Sequence, residues 1–262
     1  MFNSLCGIHV ELSSKCNKSC WMCGRRKVEK NNPGVKYGDM DFSLVEKIAK
    51  ELTSDIVVQF HKDGESMLYP RLGEAIKLFN RQITSLTTNG KLLVEKAGEI
   101  IGVLDTLSVS VIEKDNEADD QYEILKKFLE MKGDKKPFVN AKLVGKVDSR
   151  RYEKLGLLIV RRALHDPMGS FKYRKKNPAI PEIGICWALL KYLVINREGK
   201  VSICARFDPD GMGVIGNANT ESLDEIWNCD KRKNWIQYHK IGRRNEINLC
   251  QKCEFWGVPT NS

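Results

Sequence analysis

Three cysteines crowd one short stretch near the start of the chain, Cys16, Cys20 and Cys23 in "KCNKSCWMC". Thiolates are soft ligands for iron and zinc, and closely spaced thiols in a reducing compartment favour metal binding or catalysis over disulfides. An iron–sulfur cube offers four irons, so three thiolates leave one iron open, and an open coordination position is where a metal centre binds and activates a small molecule. A zinc knuckle needs a fourth Cys or His close by. The nearest histidine, His9, sits inside a strand-like run. A second group, Cys186, Cys204, Cys250 and Cys253, lies in the C-terminal part, where two cysteine pairs also fit a structural zinc site on spacing alone. Cys6 and Cys229 belong to neither group.

Regular elements must hold these thiols. β-type runs are expected at 7–13, 56–60, 83–88, 106–112, 138–144 and 157–163, separated by helical patterns at 43–53, 71–81, 91–102, 119–131 and 149–155. Strand–helix alternation predicts a parallel sheet with crossover helices, and six strands suit a partial barrel better than a complete eightfold one. The pattern changes after residue 164. Residues 165–184 read as a linker, "YLVINREGKVSICA" as a β-hairpin turning at Gly199, and 221–240 as a helix with Ser222 at its N-cap and Glu225 three residues on. The expected organisation is therefore a barrel unit at 1–164, a linker at 165–184 and a small cysteine-bearing unit at 185–262.

CxxxCxxC after a first strand resembles the signature of the radical S-adenosylmethionine superfamily. The resemblance implies a partial (β/α)6 TIM-type barrel in which Cys16, Cys20 and Cys23 hold a 4Fe–4S cluster. S-adenosylmethionine then chelates the open iron and is cleaved to a 5′-deoxyadenosyl radical that abstracts substrate hydrogen. Met22 replaces the usual aromatic residue before the last cysteine and is carried over as an adenine contact. "DGES" resembles the family's Gly-Gly-Glu-Pro stretch, giving Gly64 and Glu65 as contacts to the cofactor's amino group. "TTNG" gives Asn89, and Ser110 on the fourth strand resembles a ribose or carboxylate contact. The C-x12-G-x4-C run from Cys186 through Gly199 to Cys204, followed by "GNANTESLDEIWN" and "CQKC", resembles the SPASM extension in its shortened "twitch" form: a β-hairpin plus helix around one auxiliary cluster held by Cys186, Cys204, Cys250 and Cys253. Within the family the chain most resembles the aminocyclitol dehydrogenase type. Cys6 and Cys229 are candidate hydrogen-atom donors, and Arg161, Arg162 and His165 are candidate ligands for an anionic substrate.

The implied cofactors are S-adenosylmethionine and two 4Fe–4S clusters, with an external reductant such as flavodoxin or ferredoxin. The expected reaction is two-electron oxidation of a small polar alcohol, the auxiliary cluster taking an electron. A redox-neutral isomerase or epimerase, or a modifier of a nucleotide, nucleic-acid base or peptide, is the alternative within the family. Outside enzymes the alternative is a zinc-stabilised nucleic-acid-binding module. The net charge is +9, and residues 142–176 hold eleven Lys or Arg against three acids. Such a basic stretch favours a small-molecule or nucleotide-like anionic substrate and leaves nucleic acid open as a partner. With 42% hydrophobic residues the chain can bury a core without disulfides. No apolar run reaches the roughly 18–20 residues of a membrane span, and the N-terminus lacks the pattern of a secretory signal. The chain reads as a cytoplasmic protein with no membrane partner.

Overall fold

The computed structural model describes Phe2, residues 4–162, Leu164, residues 184–251 and Cys253. His165 and nearly all of the expected linker lie outside the described residues. Six strands stand side by side in chain order, each parallel to the next: β1 (Gly7–Val10), β2 (Val57–Phe60), β3 (Ile83–Thr88), β4 (Thr106–Ile112), β5 (Phe138–Val144) and β6 (Leu158–Arg162). Between them run α1 (Arg25–Asn31), α2 (Phe42–Glu51), α3 (Leu72–Leu78), α4 (Ala97–Ile100), α5 (Ala118–Lys132) and α6 (Arg150–Glu153). This is the parallel α/β succession that the sequence predicts.

The C-terminal part joins the same sheet. After α7 (Trp187–Lys191), β7 (Tyr192–Ile195) pairs parallel with β1, and β8 (Lys200–Ser202) and β9 (Val214–Asn217) follow antiparallel. The resulting sheet has nine strands in the order β6-β5-β4-β3-β2-β1-β7-β8-β9, so the expected boundary near 185 falls between strands of one sheet. Among the described residues three helices follow β9: α8 (Leu223–Trp227), α9 (Asp230–Lys240) and α10 (Asn248–Gln251).

Strand alternation sorts the side chains. Ile8, Val10, Val58, Phe60, Leu107, Val109, Val111, Ala141 and Leu143 are buried in one core with Leu44, Val45, Ile48, Leu72, Ile76, Leu125 and Phe128 of the helices. Burying each such side chain stabilises the fold by roughly 1.5–3 kcal/mol. The strand residues between them, including His9, Gln59, Ser108, Ser110, Asn140 and Lys142, point to the opposite, inner face and are polar. A parallel sheet covered by helices on one side needs apolar residues only there. Polar residues on the other face mark where a ligand can sit.

Several expectations are corrected in detail. The first strand stops at Val10, where the chain turns into the thiol-bearing loop, and the 91–102 helix shrinks to α4. The 221–240 helix is two helices. Arg232 is buried, stacks on the Trp227 ring at 3.2 Å and donates to Trp227 O at 3.0 Å, ending α8 where one continuous helix was expected. The α1 helix was not anticipated. The hairpin is as expected, with Gly199 at φ +82°, where a Cβ would lie 2.2 Å from Asn219 Nδ2. Ser222 and Glu225 form a full capping box. Ser222→Ala should cost about 1 kcal/mol of stability, read as a lower urea midpoint with an unchanged slope.

Candidate active site

The thiol-bearing loop leaves the C-terminal end of β1, and its stem is tied down before the first cysteine. Ser13 Oγ donates to Asp39 at 2.7 Å, Ser14 N to Gly38 O at 2.9 Å and Gly38 N to Ser14 Oγ at 3.0 Å. Farther along, Lys18 pairs with Asp115 in a buried ion pair, and Trp21 Nε1 donates to Glu113 O at 2.8 Å, fixing the loop to the segment after β4. Cys23 N donates to Cys20 O at 3.1 Å in the turn that leads into α1. The three thiols share one neighbourhood: the charges of Cys16 and Cys23 raise the Cys20 pKa, and burial, the larger cause, brings it to about 11. Arg25, buried on the Tyr37 ring at 3.9 Å, stands within electrostatic reach of Cys16 and Cys23. A cation there balances thiolate charge.

"DGES" lies against this stem. A Cβ on Gly64 would fall 2.0 Å from Ser13 O and 2.6 Å from Ser14 Cα, so backbone meets backbone and only glycine fits. Glu65 N donates to Lys15 O at 2.7 Å. Glu65 is 3% exposed, and its carboxylate accepts from Met67 N at 3.1 Å and Asn89 N at 2.7 Å. The expected partner of Glu65 was the cofactor's amino group. Each of its oxygens accepts from one backbone donor, so Glu65 also ties the loop after β2 to the end of β3. Asn89 completes the bridge by donating from Nδ2 to Asn17 Oδ1 at 2.8 Å and toward Cys16 Sγ at 3.8 Å. Ser110 sits on β4 with Lys142 of β5 as its register partner. Gln121 donates to the carbonyls of both Ser110 and Asn89, at 2.9 and 2.6 Å. Gly64, Glu65, Asn89 and the cysteine loop are thus brought together, with Ser110 one hydrogen-bonding residue away. Met22 is half-buried in the same loop.

The second thiol group gathers beyond β7. Cys204 and Cys250 have pKa values pushed to about 11 and about 12 by burial, and the remaining causes include the other thiols of the set, Cys186 and Cys253. Arg244 Nη1 donates to Cys250 O at 2.7 Å and Cys253 O at 3.2 Å, clamping the "CQKC" turn, while Cys186 N donates to His239 Nδ1 at 3.3 Å. All nine cysteines are free thiols. Among the described residues no three His, Cys, Asp or Glu side chains close around a single metal ion, so the thiols share a neighbourhood without forming a single-ion cage. Metal must displace their protons, so loading either group releases acid. The two groups meet through their flanks, because a Cβ on Gly24 would lie 2.6 Å from the Phe207 ring. A cavity of about 270 Å³ lies beside this contact, lined by Glu11, Arg25, Lys62, Asp63, Arg197 and Cys204.

Other candidates fall elsewhere. Cys6 is exposed at the N-terminal end of β1, opposite the end that carries the thiol loop. Cys229 caps α9 and points its Sγ at Ile215 O, 3.9 Å away behind β9. Neither thiol is brought to the cavity. Arg161 and Arg162 are divided by strand alternation. Arg161 donates to Ser149 Oγ at 2.8 Å on the helix side, leaving Arg162 with the inner-face residues. Sequence reasoning missed His9, His61 and Lys142, although inward alternation along β1 and β5 was the signal for two of them. The His9 and His61 rings lie 6.3 Å apart, tilted by 53°. Burial lowers the His9 pKa to about 4 and the Lys142 pKa to about 8.

Two outcomes follow from this geometry. Gly64→Ala should push apart the Ser13–Ser14 stem and lower the iron retained by the first thiol group, while iron at the second group stays; iron per chain in the Gly64→Ala protein and in a variant also lacking Cys250 and Cys253 separates the two. His9 binds its proton less readily folded than unfolded, so stability is lost as pH falls from the unfolded value near 6.5 toward about 4. A shift of that size is worth on the order of 3 kcal/mol. The buried carboxylates of Glu11 and Glu65, whose pKa values burial raises, act in the opposite sense. His9→Asn should therefore flatten the loss between those pH values, measured by urea unfolding at each pH.

Residues 186–254 match the SPASM iron–sulfur cluster-binding domain. Over 261 residues the chain is 26% identical to an S-adenosyl-L-methionine-dependent 2-deoxy-scyllo-inosamine dehydrogenase from Niallia circulans, covering 97% of this chain and 94% of that protein. The fold matches the crystal structure of BtrN in complex with AdoMet and 2-DOIA, with a TM-score of 0.64 at 20% identity, covering 100% of this chain and 98% of that one. It also matches SuiB from Streptococcus suis, with a TM-score of 0.65 at 15% identity, covering 98% of this chain and 77% of that one. No helix among the described residues is long and apolar enough to cross a membrane. With its three-thiol loop at the end of β1 and a SPASM iron–sulfur cluster-binding domain matched at residues 186–254, the chain is similar along its length to S-adenosyl-L-methionine-dependent enzymes that carry such a C-terminal domain.

Proposed function

We propose that the protein oxidises a small polar alcohol by two electrons, with Cys16, Cys20 and Cys23 holding the cluster that engages S-adenosylmethionine and Cys186, Cys204, Cys250 and Cys253 holding an auxiliary 4Fe–4S cluster. When bound, these groups supply reductive cleavage of S-adenosylmethionine, hydrogen abstraction by the resulting 5′-deoxyadenosyl radical, and a sink for the electron the substrate sheds. The observation that carries the reading is a cavity lined both by Arg25, which stands within electrostatic reach of Cys16 and Cys23, and by Cys204 of the second thiol group. A substrate held there lies between an oxidising equivalent and an acceptor. An external one-electron reductant of the flavodoxin or ferredoxin kind starts each turnover.

The chain's own residues have distinct tasks in this reading. Gly64, Glu65 and Asn89 hold the loop in position, and Met22 and Ser110 contact the cofactor. Burial lowers the His9 pKa to about 4, so His9 stands neutral on the inner face of β1. Oxidation is favoured because an auxiliary cluster has an evident use in it as electron acceptor; a redox-neutral enzyme returns hydrogen from 5′-deoxyadenosine or from a thiol, and neither spare thiol, Cys6 nor Cys229, lines the cavity. A small molecule is favoured over nucleic acid because the basic stretch is not one free face. Arg150 pairs with Asp148 and Arg151 with Asp119, each at 2.6 Å, and Lys142 faces inward.

Anaerobic reconstitution should give about eight irons per chain if two cubes form. Replacing Cys16, Cys20 and Cys23 by Ala should halve the iron and abolish 5′-deoxyadenosine. Turnover in deuterated water across a panel of polyols, aminocyclitols and their phosphate esters should give, for any accepted substrate, one 5′-deoxyadenosine per product. That product should be two mass units lighter, with no deuterium on the reacting carbon. A product of unchanged mass overturns the oxidation reading, and deoxyadenosine from the triple variant overturns the assignment of the first thiol group.

A further inference from the structure

Lys142 is an ammonium without a counterion. It is half-buried on the inner face of β5, and among the described residues it has no hydrogen bond or ion pair. Its resolved charged neighbour is another cation, Arg162, at the end of β6. From across the sheet, His9 of β1 and His61 just after β2 lie within its electrostatic reach. The other inner-face residues of β4 and β5 beside it, Ser108, Ser110 and Asn140, are neutral. An amine taken out of water beside a guanidinium is costly unless an anion joins it. By contrast, the basic residues at 150 and 151 each have a carboxylate, so the lack of one at Lys142 is local.

We propose that Lys142 and Arg162 bind a phosphate group of the substrate, so that the enzyme acts on a phosphorylated polyol or a similar phosphate monoester. This rests on the reading of the protein as an alcohol oxidase and narrows its substrate class. Two cations match the roughly −1.5 to −2 charge of a phosphate monoester better than the single charge of a carboxylate. Ser110, the register partner of Lys142, keeps the neighbouring position on β4 polar and uncharged. A phosphate seated there leaves the carbon skeleton to extend across the inner face toward β1. The same two cations repel a protonated amine, so an aminocyclitol of the kind named for the Niallia circulans relative is a poor ligand for this wall.

The test uses the anaerobically reconstituted protein with inorganic phosphate as the probe, titrated by calorimetry, with S-adenosylmethionine titrated in parallel. Phosphate should bind saturably and more tightly than acetate. Lys142→Gln and Arg162→Gln should each weaken it about tenfold or more, Lys142→Arg should restore most of the affinity, and Arg161→Gln, on the helix side of the same strand, should change nothing. Iron content and near-ultraviolet circular dichroism check that each variant is folded. Equal loss in Arg161→Gln, or no loss in either inner-face variant, overturns the site. Acetate binding as tightly as phosphate overturns the phosphate assignment. Loss of S-adenosylmethionine affinity in Lys142→Gln with phosphate binding intact assigns the lysine to the cofactor and overturns the proposal. None of these titrations needs turnover, so a product of unchanged mass would sink the oxidation reading alone.

Discussion

The approach of Gly64 to the Ser13–Ser14 backbone is the constraint on which the rest of the site depends. Two loops from adjacent parallel strands leave the same end of the sheet only about 4.8 Å apart, and there is no room for a side chain between them. That contact sets where Lys15 O meets Glu65 N, and the Glu65 carboxylate then reaches one strand farther to Asn89. Asn89 returns to Asn17 and Cys16. The result is a closed circuit through β1, β2 and β3 made mostly of backbone groups. Its members position a thiol loop that has little regular structure of its own.

A second constraint is the pairing of β7 with β1. A thiol group on a tethered appendage would sample many positions relative to the first. Here the appended hairpin is hydrogen-bonded into the sheet, and α2 is tied to the C-terminal part by Lys47 to Ala218 O at 2.6 Å and Glu51 to Leu223 N at 2.6 Å. The Gly24–Phe207 contact joins the two thiol-bearing segments directly. In the proposed reaction an electron passes between two clusters, and a shared sheet would keep the thiol groups that hold them at a fixed separation.

Local patterns were legible in the sequence; contacts between distant residues were not. The CxxxCxxC spacing, the strand–helix alternation, the Gly199 turn and the Ser222–Glu225 box each lie within a few residues, where periodicity and capping chemistry act. The role of Glu65 depends on a residue 24 positions away, and the break at Cys229 depends on Arg232 folding back onto Trp227. Arg161 and Arg162 look like one basic pair until the register of β6 sends them to opposite faces. Lys142 was counted as part of a basic surface, although the alternation of β5 already turned it inward.

The place of β1 in the sheet has a consequence for how the chain is made. Gly7 pairs with Val57 on one side and with Tyr192 on the other. β1 is therefore an interior strand, and its second edge has no partner until β7 is synthesised. At roughly 5–20 residues per second that edge stays open for about 10–40 s. During that time the chain presents an unpaired parallel edge of the kind that templates association between nascent chains. The C-terminal domain thus does for the first strand what a chaperone does for a nascent sheet, and a chain stopped before it would display Gly7–Val10 as a permanent open edge.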